Sequence, residues 1–592
     1  MSARSAATPR RVVGGLVSLL LAAGVWAVSP PDPARADSAP LGAPGPATPT
    51  TVAADALPTA QIDGVAWSQA VVGNTVYVGG SFTSARPAGA PAGTQETPRA
   101  NLLAYDIRTG ELTPFAPALN GQVLVVAASP DGSRVYVGGD FTEVDGQVRR
   151  RVAAFDTRTG ALVPGWRPSV NSQVRAIAAT NDTVYLGGSI TAVGGVSRSR
   201  LAAVSAADGS LLPWAPVPGV GPTDGNRDGS TATSDQVLAL VVTGAGEQVV
   251  AAGRFDSMNG TKATGVAALD AVTGATRPFA VNERLTNQGV NSAVYSLVTD
   301  GEVVYGTAYD YYGPGNLEGS FAARADGGAI VAINDCRGDT YASFPMNGAL
   351  YVASHTHDCA NIGGFPEQDP RVHRFATAYT LAATGVTGSH TLRNGNLGGQ
   401  PAGSLLPWFP TMTPGTVTGQ GQAGWHVTGN GEYLVYAGEF PRVNGVGQQG
   451  LVRYAMPGTA PNRIGPAAEG FTATATSPWL GQARITWRTT SDPDNEHLTY
   501  AVRREGAAEP VHETVAPSTW WQNSELTATE SGVGGSLRYR VTATDPFGNS
   551  VSTDWVSVEV VPPAGTDTRA YADVVRADGA QSHWRFGESA GT

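Results

Sequence analysis

The chain has 592 residues and a net charge of −11, and it contains 75 glycines and 41 prolines but only 15% charged residues. This composition is typical of an all-β protein with many turns, and it argues against a helical or disordered chain. The acidic balance argues against nucleic-acid binding by charge. Lys262 is the only lysine, so there is almost no scope for Schiff-base chemistry.

Residues 1–36 have the pattern of a secretory signal peptide. A pair of arginines precedes an apolar core from Val12 to Val28, and a small-x-small cleavage site ends at Ala36. A membrane anchor is the alternative, but the apolar run contains glycines, is short and is followed at once by two prolines. Residues 37–60 are then a Pro/Ala-rich linker, and no later segment is long and apolar enough to span a bilayer. We expect a secreted protein, extracellular or associated with the cell surface.

A repeated phrase dominates the region that follows. Each copy is a β-branched and aromatic run closed by small residues, which predicts a buried strand that reaches a tight bend. Five copies are clear: Val76–Thr83, Val135–Thr142, Val184–Thr191, Val249–Asp256 and Leu434–Pro441. Two degenerate copies are expected within Val303–Gly328 and Leu350–Thr380.

A second phrase, Asp-x-x-Thr-Gly, closes the next strand of several units, as at Asp106–Gly110, Asp156–Gly160 and Asp270–Gly274. The Asp side chain can accept hydrogen bonds from the amides ahead of it, and the glycine can take a positive φ, so the phrase predicts a hairpin turn. Units then end on an aromatic residue between prolines. Seven such units predict a seven-bladed β-propeller over residues 61–457. A solenoid is the alternative, but a closed ring leaves no free sheet edges.

By these phrases the chain resembles the delta-60-type β-propeller repeats of secreted bacterial proteins. The resemblance covers roughly Ile62 to Pro457. It implies membership of a group of proteins that have no settled enzymatic activity. The phrase AFDTRTGALVPGW also resembles the repeat of quinoprotein dehydrogenases. Those proteins often have adjacent cysteines at a cofactor cavity, whereas Cys336 and Cys359 are far apart in this sequence.

A Pro/Gly-rich linker, residues 458–470, precedes a segment of alternating apolar and polar residues, 471–562. Trp487 and the late strand around Tyr539 resemble the core of a fibronectin type III sandwich, with PKD and cadherin-like sandwiches as close rivals. The loop with Asp492, Asp494 and Asn495 could hold calcium together with Asp545, but an Asx-rich turn is the simpler interpretation.

The remaining residues, 563–592, resemble the opening of a laminin-G or concanavalin-like (LamG) jelly roll. Only the first strand of that fold is present, and a lone strand cannot bury a sheet. We therefore expect this segment to be poorly packed and the chain to be a fragment of a longer protein.

The best metal signal lies between Asp224 and Asp235, where oxygen ligands recur at alternate positions around a glycine, as structural Ca²⁺ requires. The last position is Asp rather than Glu and no flanking helices are evident, so a solvated blade insertion is the alternative. The predicted ligands are Asp224, Asn226, Asp228, the carbonyl of Ser230, and Asp235.

The only two cysteines, Cys336 and Cys359, are predicted to form a disulfide, because an even pair in an exported protein is most simply a bridge. The bridge would stabilise the fold by about 3 kcal/mol in the chain-entropy model. It would join the two degenerate units of the repeat.

These same units carry a candidate binding face, since they depart furthest from the repeat. An aromatic insertion there could stack on sugars or pack between blades, and a histidine pair with His373 could bind zinc, although ordinary hydrogen-bonding histidines are favoured. The residues of this face are Tyr309, Asp310, Tyr311, Tyr312, His355, His357 and Asp358.

No catalytic motif is recognisable, so no catalytic residue is assigned. We expect a non-enzymatic, secreted, multidomain scaffold or binding protein that recognises extracellular carbohydrate or cell-surface partners. A secreted carbohydrate-active hydrolase is the alternative, with acids such as Asp310, Glu318 and Glu367 facing one another across the propeller. A quinoprotein dehydrogenase is a third, weaker hypothesis.

Overall fold

The computed structural model describes residues 48–221, 229, 231–388 and 397–562, together with positions 575 and 579. Apart from those two positions, the predicted signal peptide and the predicted start of a jelly roll lie outside the described residues. The fold is all-β: a seven-bladed propeller is followed by a β-sandwich, as the sequence predicts.

Within the described residues, the propeller consists of seven antiparallel sheets in which a middle strand pairs with an inner and a third strand. The inner strands are Val65–Val72, Val123–Ala128, Val174–Ala179, Val237–Thr243, Ser292–Thr299, Thr340–Met346 and Gly424–Gly429. Each packs beside the inner strands of both adjacent blades, and blade 7 packs beside blade 1. The ring is therefore closed.

The middle strands contain the repeated phrase, including both degenerate copies. They are Thr75–Ser81, Arg134–Gly139, Thr183–Gly188, Gln248–Gly253, Val303–Asp310, Ala349–Thr356 and Tyr433–Gly438. The third strands are Leu102–Asp106, Val152–Asp156, Leu201–Ser205, Val266–Asp270, Gly319–Arg324, Arg374–Thr380 and Leu451–Ala455.

The outermost position of each blade is filled in different ways. Blades 4, 5 and 6 have a fourth strand, at Thr276–Arg277, Ile330–Asn334 and Leu405–Leu406, and blades 1 to 3 have single bridges there. In blade 7 the position is taken by the N-terminal segment, where the amides of Ala53 and Leu57 donate to the carbonyls of Ala455 and Arg453. The predicted linker covers residues 37–60. Its C-terminal part is packed against blade 7 and not free, and its apolar residues are buried.

The Asp-x-x-Thr-Gly phrase forms the predicted turn. Asp106 Oδ1 accepts hydrogen bonds from the amides of Arg108 and Thr109, at 2.8 and 3.2 Å. Gly110 has a φ of +78°, and a Cβ there would lie 2.2 Å from the carbonyl oxygen of Pro58. Only glycine fits this position, because a side chain would strain the backbone and displace the N-terminal segment.

The aromatic residues between prolines join neighbouring blades. Trp166 is fully buried, lies 5.1 Å from the ring of Tyr136 in its own blade, and donates Nε1–H to the carbonyl of Ser205 in the next blade. Trp214 repeats this arrangement with Tyr185 and the carbonyl of Asp270. Both side chains thus belong to the core between neighbouring blades.

Short elements cover the blade edges. The ribbons are Gln61–Ile62 with Ser84–Arg86 and Thr97–Pro98, Glu143–Val144 with Gln147–Val148, Ala192–Val193 with Val196–Ser197, Pro218–Gly219 with Ser257–Met258 and Thr261–Lys262, Gly385–Val386 with Pro401–Ala402, and Arg442–Val443 with Val446–Gly447. Short 3₁₀ helices are Gly244–Gly246, Ala280–Glu283 and Ala360–Ile362.

The sandwich has two sheets around a core that includes Trp487 and Tyr500. One sheet contains Ala473–Thr476, Gln482–Arg488 and Glu525–Ser531, and the other contains His512–Pro517, His497–Arg504, Gly535–Thr544, Ser550–Ser552 and Val556–Val560. It contacts blade 6, where the Phe409 amide donates to the carbonyl of Pro493 at 2.8 Å. Trp520 and Trp521 pack there against Phe365 and Phe409.

The acidic loop of the sandwich forms an Asx turn, as favoured from the sequence. Asp492 Oδ1 accepts from the amides of Asp494 and Asn495, each at 3.1 Å. Burial and the adjacent Asp494 raise the pKa of Asp492 to about 8. Among the residues that the structure describes, no three or more His, Cys, Asp or Glu side chains are grouped as metal ligands, and none of the helices is both long and apolar enough to cross a bilayer.

Candidate functional site

Every inner strand of the propeller carries a β-bulge at the same level of the ring. A bulge inserts one residue and re-aims its side chain. The seven inserted residues all line one small cavity on the axis of the ring, with a volume of about 180 Å³. They are Trp67, Leu124, Arg175, Leu238, Tyr295, Tyr341 and Trp425.

Four of these residues form a connected aromatic group, which we call the aromatic floor: Trp67, Tyr295, Tyr341 and Trp425. Their ring centroids are 5.2 Å apart for Trp67 and Trp425, 4.5 Å for Tyr341 and Trp425, and 5.2 Å for Tyr295 and Tyr341. The floor also borders a larger, open cleft of about 940 Å³. The cleft therefore has an apolar, aromatic base at the mouth of the central channel.

Blade 5 supplies one aromatic wall of the cleft. Tyr309 is buried, with its ring 6.0 Å from Tyr295 and 6.4 Å from Tyr341. Tyr311 and Tyr312 follow at the rim, where they are 69% and 48% exposed and their rings meet edge to face at 5.1 Å. The aromatic insertion thus contributes both to packing, through Tyr309, and to an exposed surface.

Acidic side chains from the same region also line the cleft. Asp310 Oδ1 accepts from the Gly315 amide at 2.7 Å, and the Asp310 amide donates to Asp339 Oδ1 at 3.1 Å. Asp339 Oδ2 accepts from the Tyr341 hydroxyl at 3.2 Å. These hydrogen bonds fix the two carboxylates against the aromatic floor.

Glu318 lines the same cleft and has an unusual protonation behaviour. Burial raises the pKa of its carboxyl to about 8, and the negative charges of Asp339, Asp335 and Asp310 act in the same direction. At neutral pH this side chain is therefore predominantly a neutral acid that can donate a proton or a hydrogen bond.

Three histidines of blade 6, the adjacent blade, cluster in the same cleft. The His373 ring lies 5.2 Å from that of His355 and 5.8 Å from that of His357. His355 Nε2 is 3.8 Å from Asp339 Oδ2, and His357 Nδ1 is 3.5 Å from Glu367 Oε1. Burial lowers the pKa of all three, to about 4 for His357, so the cluster is neutral near pH 7.

A disulfide anchors the loop that carries part of this cluster. Cys336, just after blade 5, is bonded to Cys359, just after the middle strand of blade 6, and both are buried. A Cβ at Gly364 would lie 2.7 Å from the Cys359 Cβ, so the loop folds tightly over the bridge. The predicted disulfide is confirmed, and it fixes the base of the segment that supplies His357, Glu367, Arg371 and His373.

Most residues of the predicted binding face do line the cleft: Tyr309, Asp310, Tyr311, Tyr312, His355 and His357. Asp358 does not; its carboxylate instead forms a 3.0 Å ion pair with Arg337, which does line the cleft. Of the predicted calcium ligands, Asp224, Asn226, Asp228 and Ser230 lie outside the described residues. Asp235 forms a 2.7 Å ion pair with Arg200.

Sequence reasoning missed the aromatic floor, although a signal for it exists. Aligning the inner strands would place the bulge residues in one column, where Trp, Tyr, Leu and Arg replace one another. The same alignment has a second informative column, at the position directly after the two small residues of the repeated phrase. The strand registers place these residues in it: Ser81, Asp140, Ser189, Arg254, Tyr309, His355 and Glu439. Arg254, Tyr309 and His355 from this column line the cleft.

No protein-family model matches the chain, and no curated protein matches it. Among solved structures, the chain is similar to a GH74 enzyme of Niastella koreensis, with 10% sequence identity and a TM-score of 0.34, over 85% of this chain and 74% of that one. A similarity this weak carries no inference about activity. The fold and the cleft together define the class of protein. It is a multidomain β-propeller protein whose cleft has an aromatic base at the mouth of the central channel.

Proposed function

We propose that this chain is a secreted, non-enzymatic binding protein whose cleft recognises an extracellular carbohydrate. The observation that carries the proposal is the aromatic floor beneath a rim of carboxyl, guanidinium and imidazole groups, in one open cleft. Ligand sites commonly combine apolar, aromatic surface with a few placed polar groups. Sugars have apolar ring faces and polar edges, so they match both parts of the cleft.

The exposed rim tyrosines offer the sharpest test. Aromatic contacts are worth about 1 kcal/mol each beyond area burial, so we expect Tyr311→Ala with Tyr312→Ala to weaken binding about thirtyfold. The measurement is affinity electrophoresis in native gels that contain a panel of soluble polysaccharides. Trp479→Ala is the matched control, because Trp479 is an equally exposed aromatic residue, 69%, on the sandwich.

Retardation of the wild type by at least one polysaccharide, lost in the tyrosine double variant and kept in Trp479→Ala, would support the proposal. Retardation by none of them would contradict carbohydrate recognition. Equal retardation of the wild type and the tyrosine variant would remove the cleft as the binding site.

A carbohydrate-active hydrolase is a second candidate, favoured by one observation, the raised pKa of Glu318. A carboxyl that holds its proton at neutral pH is what a general acid for glycoside cleavage needs, with a nearby carboxylate such as Asp310 or Asp339 as its counterpart. Release of reducing ends from the same polysaccharides, abolished in Glu318→Gln, would favour hydrolysis. Binding without release, unchanged in that variant, favours the binding protein.

The same proposal includes the finer assignments expected from the sequence: a delta-60-type propeller, a fibronectin type III-like sandwich, a LamG-like C-terminal segment and a structural calcium ion at Asp224–Asp235.

The disulfide supports export, because such bridges persist in oxidising compartments. Mass spectrometry of protein from the culture medium tests export. An N-terminus at Asp37 is expected, and intact chain found solely inside cells would contradict it.

A further inference from the structure

The described residues that line the cleft include four arginines, and two of these are neutralised within the fold. Arg337 Nη1 lies 3.0 Å from Asp358 Oδ2, and Arg371 Nε lies 2.5 Å from Glu367 Oε1. The first pair joins the segment between blades 5 and 6 to the loop after the middle strand of blade 6, and the second lies within that loop. They stabilise the wall of the cleft and leave little net charge for a ligand.

The other two arginines, Arg175 and Arg254, have no ion-pair partner among the residues that the structure describes. Arg175 is the bulge residue of blade 3, and its guanidinium donates to Gln173 Oε1 at 3.3 Å. Arg254 follows the middle strand of blade 4, and its Nε is buried without a hydrogen-bond acceptor in the described part of the chain. A buried donor left unmatched is costly, so an acceptor from a ligand would stabilise this arrangement.

The acids of the cleft do not supply that acceptor. Asp310 and Asp339 are engaged by backbone amides and by the Tyr341 hydroxyl. Glu318 is predominantly neutral at pH 7, because burial raises its pKa to about 8. Among the described residues that line the cleft, its blade 3 and blade 4 side therefore supplies two arginines and no carboxylate.

We infer that the cleft binds a glycan with an anionic substituent, a carboxylate or a sulfate ester, which Arg175 and Arg254 hold while sugar rings lie on the aromatic floor. Guanidinium groups suit this role because their donors match the oxygens of carboxylates and oxyanions. This inference rests on the proposed function and adds the chemical class of the ligand. Since the chain carries a net charge of −11, its overall field repels polyanions, and the attraction must come from these local groups.

The test compares charged polysaccharides with their neutral counterparts by affinity electrophoresis. The carboxylate arm uses polygalacturonate and the same polymer after carboxyl reduction, and the sulfate arm uses carrageenan and its desulfated form. We expect the wild type to bind the charged form of one pair at least about tenfold more tightly than the neutral form. That preference should be lost in Arg175→Gln and Arg254→Gln and kept in Arg108→Gln, an arginine on an outer turn of blade 1 whose side chain is 58% exposed.

The outcomes separate the two proposals. Equal binding of charged and neutral forms, still weakened by the rim tyrosine variant, would overturn the anionic ligand and leave carbohydrate binding intact. A charge preference that survives both cleft arginine variants would also overturn it. Binding of no polysaccharide, charged or neutral, would remove the proposed function itself. Thermal melting of each variant distinguishes lost binding from lost folding.

Discussion

Blades 2 to 4 and blades 5 and 6 use the same strand plan for different purposes. The middle strands of blades 2, 3 and 4 have six residues each and end at the small pair of the repeated phrase. Those of blades 5 and 6 have eight residues and continue into loops with exposed tyrosines and clustered histidines. Regular repeats build the ring, and the departures from the repeat build most of the cleft, as expected where loops on a rigid scaffold carry function.

The comparison predicts that damage to the outer strands and turns of a regular blade acts on stability alone, whereas damage to the residues that line the cleft, most of which lie in blades 5 and 6, acts on binding. The largest stability effect is expected for Trp166→Ala in blade 2, because this fully buried ring fills the space between two blades. We expect the free energy of unfolding to fall by about 3–5 kcal/mol, measured by urea denaturation. Binding by the folded fraction should be unchanged, and a selective loss of binding would break the comparison.

The disulfide belongs to blades 5 and 6, and its loss should affect both stability and polysaccharide binding. Replacement of both cysteines, Cys336→Ser with Cys359→Ser, is expected to cost about 3 kcal/mol of unfolding free energy. It should also weaken polysaccharide binding, because the bridge holds the loop of His357 and Glu367. Binding as tight as that of the wild type, in a variant that is still folded, would show that this loop does not shape the cleft.

The pH dependence of stability sharpens the comparison further. The folded pKa of Glu318 is about 8 against an ordinary value of 4.5, so the folded state holds an extra proton between these values. Its contribution to stability is fully present below pH 4.5 and is lost as pH rises towards 8. We expect melting temperatures measured between pH 5 and pH 8 to fall less steeply in Glu318→Gln than in the wild type. Asp492, with its own raised pKa in the sandwich, contributes equally to both proteins, and identical slopes would contradict the assignment.

The smallest effect is expected from a turn of a regular blade. Asp106→Ala removes the side-chain acceptor for the amides of Arg108 and Thr109, at a cost of about 1 kcal/mol. Urea denaturation should detect this loss, and affinity electrophoresis should detect none. A change in binding would mean that blade 1 turns communicate with the cleft.

The sequence predicts those parts of the molecule that depend on local patterns. The repeated phrase marks the middle strands, Asp106 and Gly110 mark a turn, and the pair of cysteines marks a disulfide. The same phrase locates blades 5 and 6 because Leu350–Ala353 keeps the strand after the rest of the pattern is lost.

The sequence predicts which blades carry the cleft, but it does not predict which side chains meet there. Trp67 and Trp425 meet only because the ring closes between blades 1 and 7, and Arg254 shares a cleft with Tyr309 only because blade 4 lies beside blade 5. Bulges decide which side chain of each inner strand turns towards the axis, and a bulge leaves no mark in the alternation of one strand. Asp339 and Tyr341 also escaped notice, since a short acidic and aromatic segment has no distinctive pattern.

Hydrogen exchange measured by mass spectrometry tests the central claim most directly. The exchange of the protein is compared with and without the polysaccharide that retards it most in the native gels. If the departures from the repeat form the binding site, protection appears in peptides covering 309–318, 337–341 and 355–373, and the turns of blades 1 to 4 exchange as before. Protection confined to the sandwich or to the outer turns of the regular blades would contradict the account.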